Sequence, residues 1–372
     1  MCPASAPLVA VVLPPREGFG PGRAGAVGLL VRRLAPTPGC ETLVIGGPQD
    51  SPAFSDVRFL PVRPATFVLG NGNLRYAAAV ARALRPLRPA LIEAHNRPEI
   101  ALALAARLPG VPVTLVLHND PQAMRLAQTP AQRTVLLRRM ALVMTPSAWL
   151  RDRLIDGLKA IPKAPAVVPN CIDLTELPPP QPREQSILFA GRVVDDKAPD
   201  AFIAACAAAL PELHGWRADV IGADRFRADS PDTSFVAGVR AAAERAGVGM
   251  LGYRDHPEVM LAMARAGIVV VPSRWAEPFG LVALEAMANG APLICSKRGG
   301  LPEVAGNAAL YAEPDEPGTI ARAIVTLAND PAQRAALGEA GRTRAQRFDV
   351  RVVRERLARL RHGLIARASP AG

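Results

Sequence analysis

Two carboxylates flank a break in the apolar pattern: Glu277 and Glu285, in the stretch GIVVVPSRWAEPFGLVALEAMANG of residues 267–290. The run Gly267–Pro272 is apolar and β-branched, the mark of a strand buried on both faces. Ser273–Pro278 interrupts it. From Gly280 onward, Leu281, Leu284 and Met287 recur at helical spacing, and Asn289-Gly290 supplies a C-terminal stop. Eight residues is about 80° out of register on a 3.6-residue period, so the two carboxylates share no helix face. Glu277 is predicted in the loop before the helix and Glu285 in its first turns. The backbone N–H groups of Phe279, Gly280 and Leu281 then lie at a positive helix end, ready for sugar hydroxyls or phosphate oxygens. Ligands of open parallel sheets bind there, beyond the carboxyl ends of strands. The plainer reading makes both glutamates solvated carboxylates around a core helix.

The elements that position such a site must come from two domains, the natural prior for 372 residues that are 49% hydrophobic with 38 prolines. Strands are predicted at residues 8–13, 41–45, 57–60, 91–94, 112–117 and 141–145, with helical segments between several of them, a doubly wound α/β pattern. The first strand runs into a loop with glycines at 18, 20, 22 and 25. Two later strands end in histidines, His95 in EAHNRPE and His118 in VLHNDP. Three consecutive prolines and a fourth two residues later in LTELPPPQPREQS form a stiff connector over residues 174–186. A second set of strands follows, at 186–190, 218–221, 267–272, 292–296 and 309–312. The polar loop GADRFRADSPDTS after the second of these is of a kind that lies near nucleotides. The chain closes in a basic tail in which Phe348, Val352, Leu357, Leu360 and Leu364 suggest an apolar helical stripe.

The segment SRWAEPFGLVALEAMANGAPLICSKRGGLPEV resembles the E-x7-E region of retaining nucleotide-sugar glycosyltransferases of family 4, which have the two-Rossmann-domain GT-B fold. The resemblance extends to Arg192 and Lys197, which match the family's R-x4-K pair on the donor diphosphate; two fixed cations at a strand end clamp phosphate oxygens by charge-assisted hydrogen bonds. It implies that Glu277 holds hydroxyls of the transferred sugar and Glu285 those of the ribose. It also implies that Phe279, Gly280 and Leu281 approach the donor, that Gly22 in the first loop lets the backbone near its phosphates, that Gly299-Gly300 does the same, and that His118 rather than His95 touches the sugar. AVVPNCID at 166–173 is similar to the family's VPNGID turn, with Cys171 in place of glycine. The domains expected are 1–173 for the acceptor and 187–345 for the donor, with 346–372 as a helix crossing back to the first.

The implied activity is transfer of a hexose from a nucleoside-diphosphate sugar, UDP-sugar favoured, to a hydroxyl acceptor in bacterial surface polysaccharide or glycolipid synthesis. The alternatives are another GT-B enzyme such as a nucleotide-sugar epimerase, or a non-catalytic nucleotide-sugar binder. No cofactor is expected, the nucleotide-sugar being a co-substrate. No metal is expected either, since there is no D-x-D and the cations stand in for one. Cysteines at 2, 40, 171, 206 and 295 have no zinc spacing and suggest a reducing compartment. The first residues read as a strand rather than a signal peptide, and no 18-residue apolar run occurs, so a cytoplasmic location is expected. Net charge is +11, with 21 Lys/Arg against 11 Asp/Glu in residues 1–183 and 23 against 22 in the rest. An acidic partner for the N-terminal half follows. No nucleic-acid signature accompanies it. The preferred partner is an anionic membrane carrying a lipid-linked acceptor, met by Arg125, Arg133, Arg138 and Arg139 beside Leu126, Val135, Leu136, Leu137 and Met140; a solvated surface with no partner explains the same residues.

Overall fold

Apolar, β-branched runs with no polar face can be buried only between two layers of helices, and that is how the strands are used. The computed structural model describes residues 6–66, 69–225 and 232–368. It divides into two compact units, one of Met1–Cys171 with Val350–Gly372 and one of Ile172–Asp349.

The first unit holds strands β1 (Leu8–Val12), β2 (Glu41–Gly46), β3 (Arg58–Pro61), β4 (Leu91–His95), β5 (Val113–Val116), β6 (Leu142–Thr145) and β7 (Ala166–Val167). Its helices are α1 (Ala26–Leu34), α2 (Gly72–Leu84), α3 (Pro98–Arg107), α4 (Pro130–Arg139) and α5 (Ala148–Ile155). The second unit holds β8 (Ser186–Ala190), β9 (Arg217–Ile221), β10 (Gly249–Gly252), β11 (Ile268–Val271), β12 (Leu293–Cys295) and β13 (Ala309–Tyr311). Its helices are α6 (Pro199–Ala209), α7 (Ser234–Ala246), α8 (His256–Arg265), α9 (Leu281–Ala288), α10 (Leu301–Ala305), α11 (Pro317–Asn329) and α12 (Pro331–Ala345); α13 (Val350–Ala368) returns to the first unit.

Both sheets are parallel, in the orders β3-β2-β1-β4-β5-β6-β7 and β10-β9-β8-β11-β12-β13. Each order reverses beside its first strand, between β1 and β4 and between β8 and β11. These switch points open a crevice at the carboxyl ends of the strands. Each sheet has a core on both faces: Ile92, Leu104 and Leu115 against Val11, Val31 and Val44 in the first, Ile187, Phe202 and Ile324 against Leu188, Leu284 and Met287 in the second. Two strands went unread in the sequence. β7 is two residues long and β10 is GMLG, too short or too glycine-rich to show a pattern.

Three expectations change. The stripe on the last helix is Val350, Val353, Leu357 and Ala358 with Arg361, whereas Val352 is exposed and Phe348 precedes the helix, edge-on to Phe279 in the second unit. The proline-rich stretch is fastened to the second unit: Arg183 donates to the carbonyls of Met263 (2.9 Å) and Ala264 (2.8 Å), and Glu184 N–H to that of Arg265 (2.8 Å). Arg133 is not a surface cation. It is 2% exposed and donates to the carbonyls of Leu154, Ala127, Gln128 and Asp156, closing the open ends of neighbouring segments. Leu136, Leu137 and Met140 are buried too, which leaves Val135, Arg138 and Arg139 as the exposed residues of that helix face. Among the described residues no helix is long and apolar enough to cross a membrane.

Candidate active site

The second unit assembles its site from the loops after β8 and β11, the two strands of its switch point. Arg192 lies just past β8, and Lys197 closes a 3-10 turn, Asp195–Lys197. Ala198 then enters α6 with φ 55°, a left-handed conformation that a side chain seldom takes. The carbonyl of Asp196 accepts from Arg274 N–H (3.0 Å) and Trp275 N–H (3.1 Å), which docks this turn on the loop after β11. Lys197 Nζ is thereby brought against Glu277 Oε1 and over the Trp275 ring, 4.9 Å from its centroid. Ser273 donates to the same Glu277 oxygen at 2.7 Å. Arg274 grips Asp200 with both ends of its guanidinium, at 2.8 and 2.6 Å.

Glu277 is 9% exposed, and its backbone is held as firmly as its side chain. Gly300 N–H donates to its carbonyl, and a Cβ on Gly299, at φ 64°, would meet that carbonyl oxygen at 2.2 Å. Only glycine fits there. Gly280 caps α9 at φ 106°, and Phe279 is buried behind it. Glu285, inside α9, accepts from or donates to His256 Nε2 at 2.9 Å according to the proton's place. So Lys197 and Glu277 come together, Glu285 pairs elsewhere, and His256, Ser273 and Trp275 join them although none carried a role in the sequence reading. The loop expected near the nucleotide lies partly outside the described residues, at 226–231.

The first unit builds a different constellation at its own switch point. The glycine loop follows β1. In it, a Cβ on Gly18 or Gly20 would strike the carbonyls of Arg23 (2.3 Å) and Pro52 (2.1 Å), whereas Gly22 is exposed at φ 67° with nothing within 4 Å. Close packing therefore falls on Gly18 and Gly20, and Gly22 answers only to its backbone angle. His95 ends β4, and His118 lies just beyond β5. Their rings stack 15° from parallel, with His95 Nδ1 and His118 Nε2 at 2.9 Å. His95 Nε2 meets Glu93 at 3.1 Å, and Glu93 is gripped by Arg361 of α13 at 2.7 and 3.1 Å. Burial alone would push the Glu93 carboxyl up, but the Arg361 charge, with His95, outweighs it and holds it well below the usual carboxylate range. Burial, the largest cause, pushes His118 down to about 3. The His118 Nδ1 atom is buried with no hydrogen-bond partner. A sugar could reach Nε2 only after the bond to His95 opened. At the unit boundary, Cys171 is buried and has no positive φ, so a side chain fits where glycine is usual.

Two family models match this chain. "Glycosyltransferase Family 4" covers residues 26–176 and "Glycosyl transferases group 1" residues 178–344. Among curated relatives, a putative glycosyltransferase of Bacillus subtilis, YtcC, is 28% identical over 255 residues, 62% of this chain and 60% of that protein. Glycogen synthase of Mycobacterium tuberculosis is 28% identical over 319 residues, 76% of this chain and 73% of the relative. The alignment thus spans about three-fifths of the first relative's length. Among solved structures, sucrose-phosphate synthase of Thermosynechococcus elongatus superposes with a TM-score of 0.80 at 21% identity, covering 97% of this chain and 100% of that one. Anabaena HepE in complex with UDP and glucose gives 0.75, also at 21%, over 94% and 98%. At that identity the likeness is one of fold, two Rossmann-like units of the GT-B kind.

Proposed function

From a chain that belongs to the family 4, group 1 glycosyltransferases, we propose an enzyme that moves a hexose from UDP-sugar to a hydroxyl acceptor with retention of configuration. The observation that carries this reading is the meeting of Lys197, Ser273 and Glu277 at the switch point of the second sheet, with Arg192 just past β8. Uridine is favoured because HepE was solved with UDP and glucose.

Departure of the nucleoside diphosphate leaves an oxocarbenium-like sugar and a growing negative charge on the leaving oxygen. Arg192, Lys197 and the N-terminus of α9 neutralise that charge without a metal, and stabilising charge that develops only in the transition state is what accelerates the step. Lys197 has three N–H donors. It keeps Glu277 with one and reaches phosphate with the others, so the ion pair pre-positions the cation. Glu277 holds hydroxyls of the sugar, Glu285 those of the ribose, and the leaving phosphate oxygen takes the acceptor's proton.

The acceptor proposed is lipid-linked, on an anionic membrane surface. Its support is charge: the first unit carries 26 Lys/Arg against 10 Asp/Glu, the second 18 against 23. Arg138 and Arg139 remain exposed beside Val135.

Thermal-shift screening of nucleotide-sugars tests the donor, since a bound donor stabilises the native state by mass action. A UDP-hexose should raise the transition, and transfer should fall on the order of 10²-fold in Lys197→Ala or Arg192→Ala, the scale for one lost transition-state donor. Wild-type kcat in both variants refutes the assignment.

A further inference from the structure

Among the described residues, the buried polar chain that the transfer reaction does not use runs through the first unit from the last helix to His118. Arg361 is 2% exposed and Glu93 1%. The guanidinium donates from Nη2 to Glu93 Oε1 (2.7 Å) and from Nε to Oε2 (3.1 Å), and its Nη1 donates to Leu34 O, Ala35 O and Thr37 Oγ1. Glu93 Oε1 meets His95 Nε2, and His95 Nδ1 meets His118 Nε2. Arg361 and Glu93 are 268 residues apart in the sequence, so this chain exists only when the last helix is docked.

We propose that Arg361, Glu93 and His95 are positioning residues for His118, holding its ring as the neutral tautomer with the proton on Nε2. The direction of every proton follows from the Arg361 end. Ionised Glu93 can only accept, so His95 must carry its hydrogen on Nε2. A neutral His95 then presents Nδ1 as a lone pair, and His118 donates to it from Nε2. The opposite arrangement has His95 charged, donating from Nδ1 and moving the His118 hydrogen to Nδ1. That hydrogen would be a buried donor facing no acceptor, which proteins tolerate less well than an unused lone pair. The charged and titratable groups facing the ring are Glu93 and His95 from β4 and Arg361 from α13, and the fixed guanidinium opposes a second positive charge. His118 N–H is also tied, to Asn96 Oδ1 at 3.1 Å, so both backbone and ring are set. The functional consequence rests on the reading that His118 serves the transferred sugar, here as a fixed ring against it and not through Nε2, which His95 occupies: the last helix is then a condition for an ordered ring at the transfer site.

The experiment uses the full chain labelled with 15N at histidine. Two-bond 1H–15N correlations at pH 7 should show His118 protonated on Nε2 and bare on Nδ1; a proton on Nδ1 overturns the proposal. His95→Leu removes the acceptor. It should release that tautomer and lower kcat on the order of 10- to 100-fold, the scale of an ångström-sized misplacement, with the donor KM unchanged because the donor loops lie in the other unit. His95→Asn puts an amide oxygen where Nδ1 stood and should restore both tautomer and kcat, which a purely structural role does not predict. His95→Leu with the wild-type tautomer and kcat overturns the positioning role. Should that variant not fold, Arg361→Lys, which keeps the charge and loses the fork, should give mixed tautomers; a pure Nε2–H signal there refutes the proposal. In a chain that transfers no hexose from any UDP-sugar, which would overturn the proposed function, the tautomers in wild type and His95→Asn still decide the positioning.

Discussion

Replacing Arg361 with leucine should cost the first unit more than any surface substitution, and the cost should depend on pH in a definite direction. The change removes five hydrogen bonds from a site of 2% exposure and leaves Glu93, 1% exposed, with His95 alone. Removing one partner of a buried pair costs about 3–5 kcal/mol, because the other charge stays behind. For a unit of this size that is a fall of roughly 6–20 °C in Tm, at about 2–4 °C per kcal/mol. In the native protein the pair lowers the Glu93 proton affinity, so its contribution is present above the unfolded carboxylate value, near 4.3, and is lost as pH falls through the native one. In Arg361→Leu the sign reverses. Burial now dominates and raises the carboxyl, so the variant binds a proton that the wild type refuses, and the gap between them shrinks from pH 8 to pH 5. Of the three tryptophans only Trp149 lies in the first unit, so urea titrations followed by its fluorescence in a Trp216→Phe/Trp275→Phe background read this unit. Glu93→Leu/Arg361→Leu should recover most of the loss, since no charge remains buried. A gap below about 1 kcal/mol, the scale of exposed pairs, or one that is flat from pH 8 to 5, would refute the reasoning.

Glu285→Gln should weaken binding of free UDP in calorimetry, while Glu277→Gln should leave that binding intact and reduce transfer; the reverse pattern counts against the division of roles. His118, pushed down to about 3, binds its proton in the unfolded chain near pH 6.5 but not in the folded one, so stability should fall as pH drops from 6.5 to 5, by at most about 1.4 kcal/mol per unit. Removing the ring in His118→Gln should flatten that slope, and an unchanged slope assigns it to another group. The protein should sediment with anionic but not neutral vesicles at low salt and be released near 1 M salt, where the Debye length is about 3 Å. If Arg138→Glu/Arg139→Glu sediments like the wild type, this face is not the one that meets the membrane.

What the sequence determined by itself was whatever local pattern or short spacing encodes. A strand buried on both faces must be continuously apolar, so β1, β8 and β11 are visible as such, and with them the two doubly wound units. The E-x7-E spacing and Gly280 are visible because the loop after β11 and the helix it enters carry them together, and Gly299 because the loop after β12 packs against Glu277. Composition also shows the basic N-terminal half, but not which arginines face water. Arg125 and Arg133 look alike in the sequence, yet one is exposed and the other spends its donors on four carbonyls from two segments. Only the tertiary structure decided that, because the fate of a long cation depends on which unsatisfied carbonyls the fold brings within its reach. The same holds for His95, His118, Glu93 and Arg361. The two histidines stand out as strand ends, but Glu93 and Arg361 are unremarkable among their neighbours in the sequence, and the four become one chain of hydrogen bonds only when β4, β5 and α13 pack together. Lys197 and Glu277 likewise meet across 80 residues because β8 and β11 are neighbours in the sheet, an adjacency set by strand order and not by spacing.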